Sequence, residues 1–158
     1  MSDKRLSLFG NELSRFTIRE AVIGACGTLE FEDEDRNGNE SLLVKGKHGE
    51  TIRFNLLLNR YPGDKFSEIA FSAVAFFRNL ETSAVQAKHE VIKRIGEMSM
   101  VFGVVIEPDF LGDDDWRWGA LFSVAESADA VVFDGFSVVA SNGDLILNLE
   151  GKTEDDFL

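Results

Sequence analysis

The sequence has few of the side chains that enzymes and metal sites usually depend on. It contains two histidines and one cysteine among 158 residues, whereas acid–base, nucleophilic and zinc chemistry draw on clusters of such groups. The phosphate-binding motifs GxxxxGKS/T and GxGxxG are absent, as is the GxSxG motif of nucleophilic serines. We therefore assign no catalytic residue and expect no cofactor.

The scarcity of cysteine and of long apolar runs also limits the cellular compartment in which we expect the protein. A lone cysteine, Cys26, excludes an internal disulfide and fits a reducing compartment. The first residues, MSDKRLSLFGNELSRF, have no long apolar core and no small-residue cleavage site, unlike a signal peptide. No apolar run approaches the roughly 20 residues that span a bilayer. We therefore expect a cytoplasmic protein with no membrane partner.

Positive charge is scarce as well. The chain has 16 Lys and Arg against 28 Asp and Glu, which gives a formal net charge of -12. Nucleic acids and anionic membranes are bound through basic side chains, so we expect neither as a partner. Two interpretations remain: the acidity serves solubility alone, or it favours a basic protein partner. The second interpretation requires the acidic side chains to cluster in space, whereas the first does not.

Apolar residues, in contrast, are plentiful. Hydrophobic residues make up 44% of the chain, and 14 of them are Phe beside a single Tyr, which suits a dry core. The length predicts a single domain over residues 1–158. It could divide into halves at 1–62 and 64–151, and an acidic tail follows at 152–158.

Hydrophobic periodicity predicts an α+β fold in which antiparallel β-meanders pack against helices, in the order α-βββ-αα-β-α-βββ. Residues 1–13 carry no predicted element. The predicted helices span residues 17–23, 65–78, 82–97 and 116–126, and the predicted strands span 29–32, 41–47, 51–58, 100–106, 131–133, 136–140 and 144–149. Strand 100–106 is expected near the middle of a sheet. Helix 65–78 is apolar on most sides and is expected to be buried between layers.

The first candidate site is an acidic and aromatic stretch before the last predicted helix. Asp113, Asp114 and Asp115 precede Trp116 and Trp118, and tryptophan is enriched at binding hot spots. Positions 116 and 118 lie about 200° apart on a helix, so both rings cannot be buried on one face. One interpretation is a partner-binding edge; the other is that Asp115 caps the helix and that a single tryptophan lies in the core.

A second acidic row lies on the first strand of the predicted meander. Glu30, Glu32 and Glu34 alternate with other residues, so they share one face of that strand. The row could meet a basic surface, or it could be an ordinary solvated face. The sequence does not separate the two interpretations.

The same strand and the following turn contain candidate metal ligands; the cluster Asp113–Asp115 is the other place where a divalent cation could bind. Asp33, Asp35 and Asn37 alternate as in the first half of an EF-hand calcium loop. The twelfth position is Val44, where such a loop needs a bidentate Glu. A solvated hairpin turn at Asn37-Gly38 explains the same residues.

A cysteine–histidine pair would need one of two histidines near Cys26. His48 falls in a predicted turn and is expected to be exposed. His89 falls on the apolar stripe of helix 82–97 and is expected in the core. Neither position favours an activated thiol.

These patterns favour a non-catalytic acidic binding protein. More specifically, they favour a toxin-neutralising, immunity-type inhibitor that engages a basic protein partner. Its first contacts would be residues 113–116 and 118, and its second would be the glutamates of the 30–34 row. Two alternatives stay open: a carboxylate-based enzyme or cation- or small-ligand-binding domain, and a structural subunit of a larger bacterial assembly.

Overall fold

A computed structural model of the chain describes residues 3–36, 39–58 and 65–149. Within these residues the chain forms eight β-strands and four α-helices. In chain order they are β1 (Lys4–Gly10), α1 (Arg15–Cys26), β2 (Glu30–Arg36), β3 (Asn39–Lys45), β4 (Thr51–Leu58), α2 (Lys65–Arg78), α3 (Val85–Glu97), β5 (Met100–Glu107), α4 (Trp116–Ser127), β6 (Val131–Phe133), β7 (Ser137–Val139) and β8 (Leu145–Asn148). The acidic tail and the Asn37-Gly38 turn lie outside the described residues.

All eight strands belong to one antiparallel sheet with the order β2-β3-β4-β5-β1-β6-β7-β8. The predicted α+β fold with antiparallel meanders is therefore confirmed. The two meanders, β2–β4 and β6–β8, are joined through β5 and β1. Strand β5 is fourth of the eight, as its continuous apolar sequence predicted.

Strand β1 is the element that the sequence did not predict. It pairs with β5 along its whole length, from Lys4 opposite Ile106 to Gly10 opposite Met100, and with β6 on its other side. Its Leu6 and Leu8 are buried, but Lys4, Arg5 and Ser7 make the segment look polar. Its partner strands lie far along the chain, so nothing local indicates its central place.

The helices cover both faces of the sheet, and each face has its own core. On the α1/α4 face, Leu8, Phe54 and Phe102 of the sheet pack with Ile18 of α1 and Leu121 of α4. The α2/α3 face forms a second cluster, described below. Because successive strand residues point to opposite faces, alternate residues of β1 and β5 belong to different clusters.

Helix starts depend on capping residues. Helix α1 begins at Arg15, earlier than predicted, because the Ser14 hydroxyl accepts a hydrogen bond from the Thr17 amide at 3.1 Å. Helix α4 begins at Trp116 with Asp115 as its cap, as predicted. Helix α3 begins at Val85, not at 82: its N-cap is Ala84, which has no side-chain capping bond, and Thr82 lies before the helix, where its hydroxyl accepts from the Ala84 amide at 2.9 Å.

Helix α2 matches its predicted bounds, but its predicted burial between layers is wrong. Phe66 and Phe77 are buried against the sheet, whereas Phe71 is 79% exposed and Phe76 is 46% exposed. One side of this helix therefore carries apolar side chains that the described residues do not cover. Among these residues, no helix is long and apolar enough to cross a membrane.

Candidate protein-binding loop

The acidic loop, residues 108–115, connects β5 to α4 at one end of the sheet. In this end row Glu107 lies opposite Thr51, Thr51 opposite Lys45, and Lys45 opposite Glu30. The loop therefore leaves the sheet beside the ends of four strands. Glu30 shares that end, whereas Glu34, four positions further along β2, lies about 13 Å away from it.

Arg117 is the centre of the loop. Its side chain is fully buried, and its guanidinium donates to three backbone carbonyls. Nη1 donates to Thr51 O at 3.0 Å and to Pro108 O at 2.6 Å, and Nη2 donates to Asp109 O at 3.3 Å. A buried guanidinium is favourable only when its donors are satisfied. These bonds hold the start of the loop and the first turn of α4 against β4.

Asp115 completes this arrangement from the helix side. Oδ2 accepts from Arg117 Nη2 at 2.7 Å and from the Leu111 amide at 3.0 Å, and Oδ1 caps α4 by accepting from the Arg117 amide at 3.0 Å. Burial by itself raises the pKa of Asp115, but these hydrogen bonds and the charge of Arg117 outweigh it and lower the pKa to about 2. The side chain is only 2% exposed. Asp115 therefore holds the loop and does not face a partner.

Trp116 anchors the loop to the neighbouring β3–β4 turn. Its Nε1 donates to Glu50 Oε1 at 3.0 Å, and its carbonyl accepts from Cys26 Sγ at 3.4 Å. Burial opposes ionisation of Glu50, but this bond, backbone amides and nearby His48 lower its pKa. A Cβ on Gly46 would collide with the Glu50 carboxylate and approach the indole nitrogen. The pair therefore fits only against a glycine.

Trp118 supports the loop from the other side. Its ring stacks on Phe110 with centroids 3.6 Å apart and planes 7° apart, and Phe122 follows at 6.4 Å. Its Nε1 donates to Gly112 O at 3.0 Å. Both tryptophans are partly buried.

What the loop presents outward is an apolar side chain beside two carboxylates. Leu111 is 61% exposed, and Asp113 and Asp114 are exposed. Among the described residues, no cationic side chain forms an ion pair with either aspartate. The three side chains stand on a backbone that is held by the buried pair Asp115–Arg117.

The glutamate row of β2 lies on the α2/α3 face. Lys45 Nζ is 3.4 Å from Glu32 Oε2, and Arg53 Nη2 donates to Glu34 Oε1 at 3.5 Å. Glu30 lies opposite Lys45 in register. Because β2 is an edge strand, charges along it also discourage pairing with another chain. The row is therefore partly neutralised, and only Glu30 shares the loop's end of the sheet.

The candidate metal ligands face α1. Arg19 Nη2 is 2.9 Å from Asp33 Oδ1, and Arg15 Nη1 is 3.5 Å from Asp35 Oδ1. Asn37 lies outside the described residues. Within the part of the chain that the structure describes, no group of three or more His, Cys, Asp or Glu is arranged to hold a metal ion.

The cysteine and the two histidines differ in exposure: Cys26 is partly buried and both histidines are exposed. Burial raises the pKa of the Cys26 thiol, which disfavours the reactive thiolate. His48 is exposed in its turn, as predicted. His89 is exposed, so its predicted core position is wrong. Helix α3 buries Val91. Because His89 is two positions before Val91, it lies about 200° around the helix from it, on the exposed side.

Sequence reasoning missed Arg117, the residue on which the loop depends. An arginine between two tryptophans and after three aspartates was a signal, but its carbonyl partners could not be read from the sequence. The chain matches no protein-family model, no curated protein and no solved structure with which it was compared. The interpretation of the loop therefore rests on its geometry.

Proposed function

We propose that this chain is a non-catalytic binding protein whose acidic loop docks a basic protein, in the manner of a toxin-neutralising inhibitor. The observation that carries the proposal is the exposed set Leu111, Asp113 and Asp114 on a loop held by buried Arg117. Binding costs less conformational entropy when the binding surface is already ordered. The loop meets that condition through side-chain to backbone bonds at both of its ends.

The chemistry of the loop suits a basic protein surface. Leu111 supplies an apolar anchor, and the partly exposed Trp118, whose indole donates to the neighbouring Gly112 carbonyl, extends it. Asp113 and Asp114 supply negative charge around this anchor, and the net charge of -12 attracts a basic partner from a distance. A toxin that acts on nucleic acid has a basic cleft of the kind such a loop would block.

The charge contribution is tested by affinity capture from host lysate, followed by association kinetics with the captured protein. The loop variant is Asp113→Asn/Asp114→Asn. Its control is Glu90→Gln/Glu97→Gln, which removes the same charge from exposed positions on α3. Two rim carboxylates at about 0.2–1 kcal/mol each predict a loss of roughly 2- to 30-fold in affinity, mostly in association rate. The control is expected to bind within about two-fold of the wild type.

The apolar anchor is tested separately with Leu111→Ser. Its control is Phe71→Ser, because Phe71 is even more exposed and lies on the opposite side of the sheet. We expect Leu111→Ser to weaken binding about five-fold or more through faster dissociation, and the captured protein to lose its own activity when bound. An association rate insensitive to salt between about 50 and 500 mM would contradict the proposal, as would equal loss in loop and control variants.

A further inference from the structure

Exposed phenylalanines surround one groove on the α2/α3 face. The groove has a volume of about 480 Å³ and lies between α2 and the strands β1 and β6, where Phe76 and Gly135 line it. Phe76 is 46% exposed, and Phe136, which follows Gly135, is 74% exposed. Phe71 is 79% exposed and precedes Ser72, another lining residue. These three rings and the groove beside them form one surface, the Phe patch.

The base of the groove is a packed core. Helices α2 and α3 contact the sheet there through buried residues that include Phe77, Val91 and Leu147. The Phe133 ring lies 5.5 Å from the Phe77 ring at 73° and 6.2 Å from the Phe76 ring at 64°. Edge-to-face contacts of this kind fix ring orientation. The groove is therefore already ordered when a partner arrives, which lowers the entropic cost of binding.

The turn that carries Phe136 is ordered as well. Gly135 has a φ of 93°, which permits a tight turn at the end of β6. Asp134 Oδ1 accepts from the amides of Phe136 at 2.8 Å and Ser137 at 2.7 Å. The Leu149 amide donates to Phe136 O at 2.9 Å. Phe136 therefore projects from a backbone that is held on both sides.

The area of the Phe patch suits a protein partner. A phenylalanine side chain contributes roughly 150–250 Å² when it is buried, so the three rings at their exposed fractions present about 300–500 Å² to solvent. Apolar patches of this size on a protein surface commonly mark interaction sites. A specific interface needs about 500 Å² from each partner, and commonly about 800 Å². The rings alone supply about half of that area or more, and the groove adds to it.

The distribution of charge indicates which protein fits. Residues 65–97, which include α2 and α3, contain five Lys or Arg and four Glu, a formal charge of +1. The whole chain carries -12, so the other residues account for -13. Two copies that meet through the α2/α3 layer therefore avoid the repulsion that their acidic remainder would cause. A strongly basic protein, in contrast, gains no electrostatic attraction from this layer.

We propose that this chain forms a two-fold homodimer through the Phe patch. Phe71 of each copy enters the groove of the other, and Phe76 and Phe136 pack around it. A two-fold interface uses the same surface on both copies, so a projecting ring beside a groove is self-complementary. The acidic loop packs on the α1/α4 face. It stays accessible in the dimer, and neither proposal depends on the other.

The oligomeric state of the full chain is measured by sedimentation equilibrium between about 1 and 200 µM. We expect a reversible dimer with twice the 17.6 kDa mass of the chain. Because the interface is apolar and the remaining charge is repulsive, the dimer should be as stable or more stable at about 500 mM salt than at 50 mM. A monomer at every concentration would overturn the proposal.

Matched variants locate the interface. Phe71→Ser and Phe136→Ser each remove a ring that is exposed in the monomer, and circular dichroism checks that both variants are folded. Each substitution occurs twice in a two-fold dimer, so we expect either one to weaken self-association at least about ten-fold. The control is Phe16→Ser on α1, where the ring is 66% exposed on the other face of the sheet. It should change self-association by less than about two-fold.

Other occupants of the Phe patch give different results. Saturable binding of the uncharged dye N-phenyl-1-naphthylamine to a chain that stays monomeric would assign the groove to a small apolar ligand and overturn the dimer. A dimer that dissociates as the salt rises from about 50 to 500 mM would indicate pairing of the acidic loop with basic residues of α3, which also overturns it. Equal weakening by Phe16→Ser and Phe71→Ser would place the interface elsewhere. Since the loop lies on the other face, Phe71→Ser is expected to dissociate the dimer without changing the affinity of the loop.

Discussion

Replacing Arg117 by methionine removes the side chain that holds the acidic loop while keeping a similar apolar stem. The Asp115 carboxylate, 2% exposed, then loses its counter-charge. The carbonyls of Thr51, Pro108 and Asp109 lose a donor at the same time. The perturbation therefore leaves a buried charge and three acceptors without their partner.

The structure sets the size of the effect. Removing one partner of a buried ion pair typically costs about 3–5 kcal/mol, because the remaining charge stays buried. For a chain of this size, each kcal/mol lowers Tm by roughly 2–4 °C. We therefore expect Arg117→Met to lower the free energy of unfolding by about 3–5 kcal/mol and Tm by roughly 6–20 °C.

The assay is urea unfolding followed by circular dichroism at pH 7, in a double-mutant cycle with Asp115→Asn. Asparagine still caps a helix, so the single variant Asp115→Asn mainly leaves the guanidinium unpaired. We expect the two substitutions to be coupled by about 1–3 kcal/mol. Arg78→Met, at an exposed position of α2, is the control and should change stability by less than about 0.5 kcal/mol.

Two results would refute this reasoning. A loss below about 1 kcal/mol in Arg117→Met would mean that the buried pair does not hold the loop. Additive effects of Arg117→Met and Asp115→Asn would mean that the two side chains do not act together. In either case the loop would lack the fixed backbone on which the proposed binding depends.

The other predictions concern acid stability and close packing. The pKa of Asp115 is about 2 in the folded chain against 3.8 ordinarily. The ionised carboxylate therefore stabilises the fold by roughly 2 kcal/mol above pH 4, and this stabilisation is lost as the pH falls toward 2. Urea titrations across this range should show the loss in the wild type but not in Asp115→Asn. Gly46→Ala should cost about 1–3 kcal/mol and change the tryptophan emission, because the new Cβ displaces Glu50 from Trp116. Gly24→Ala on α1, whose Cβ would meet nothing within 4 Å, is its control and should stabilise by about 0.5–1 kcal/mol.

Each of these has a clear contrary outcome. The same acid-dependent loss in Asp115→Asn as in the wild type would show that other carboxylates cause it. Unchanged stability and emission in Gly46→Ala would show that the Glu50–Trp116 contact tolerates displacement. Destabilisation by Gly24→Ala would remove it as a control, and Gly96→Ala on α3, also with nothing within 4 Å, would replace it.

Much of the fold could be predicted because its signals are local. The bounds of α2, β4 and β6 were read directly from periodicity and flanking turns. Asp115 was recognised as a cap from its place before an apolar run. Strand β1 was not recognised, because a short segment with Lys4, Arg5 and Ser7 has no local mark of a central strand.

The candidate site also combines features that the sequence predicts with features that only the tertiary structure decides. The sequence by itself determined that Asp115 caps a helix and that Asp113 to Asp115 stand beside two tryptophans, since both facts depend on neighbouring residues. Only the tertiary structure decided that Asp115 turns inward while Asp113 and Asp114 stay exposed. That choice depends on Arg117 reaching Thr51, 66 positions away along the chain. A buried charge is paired with the groups that folding brings close to it, and the order of residues along the chain does not specify which groups those are.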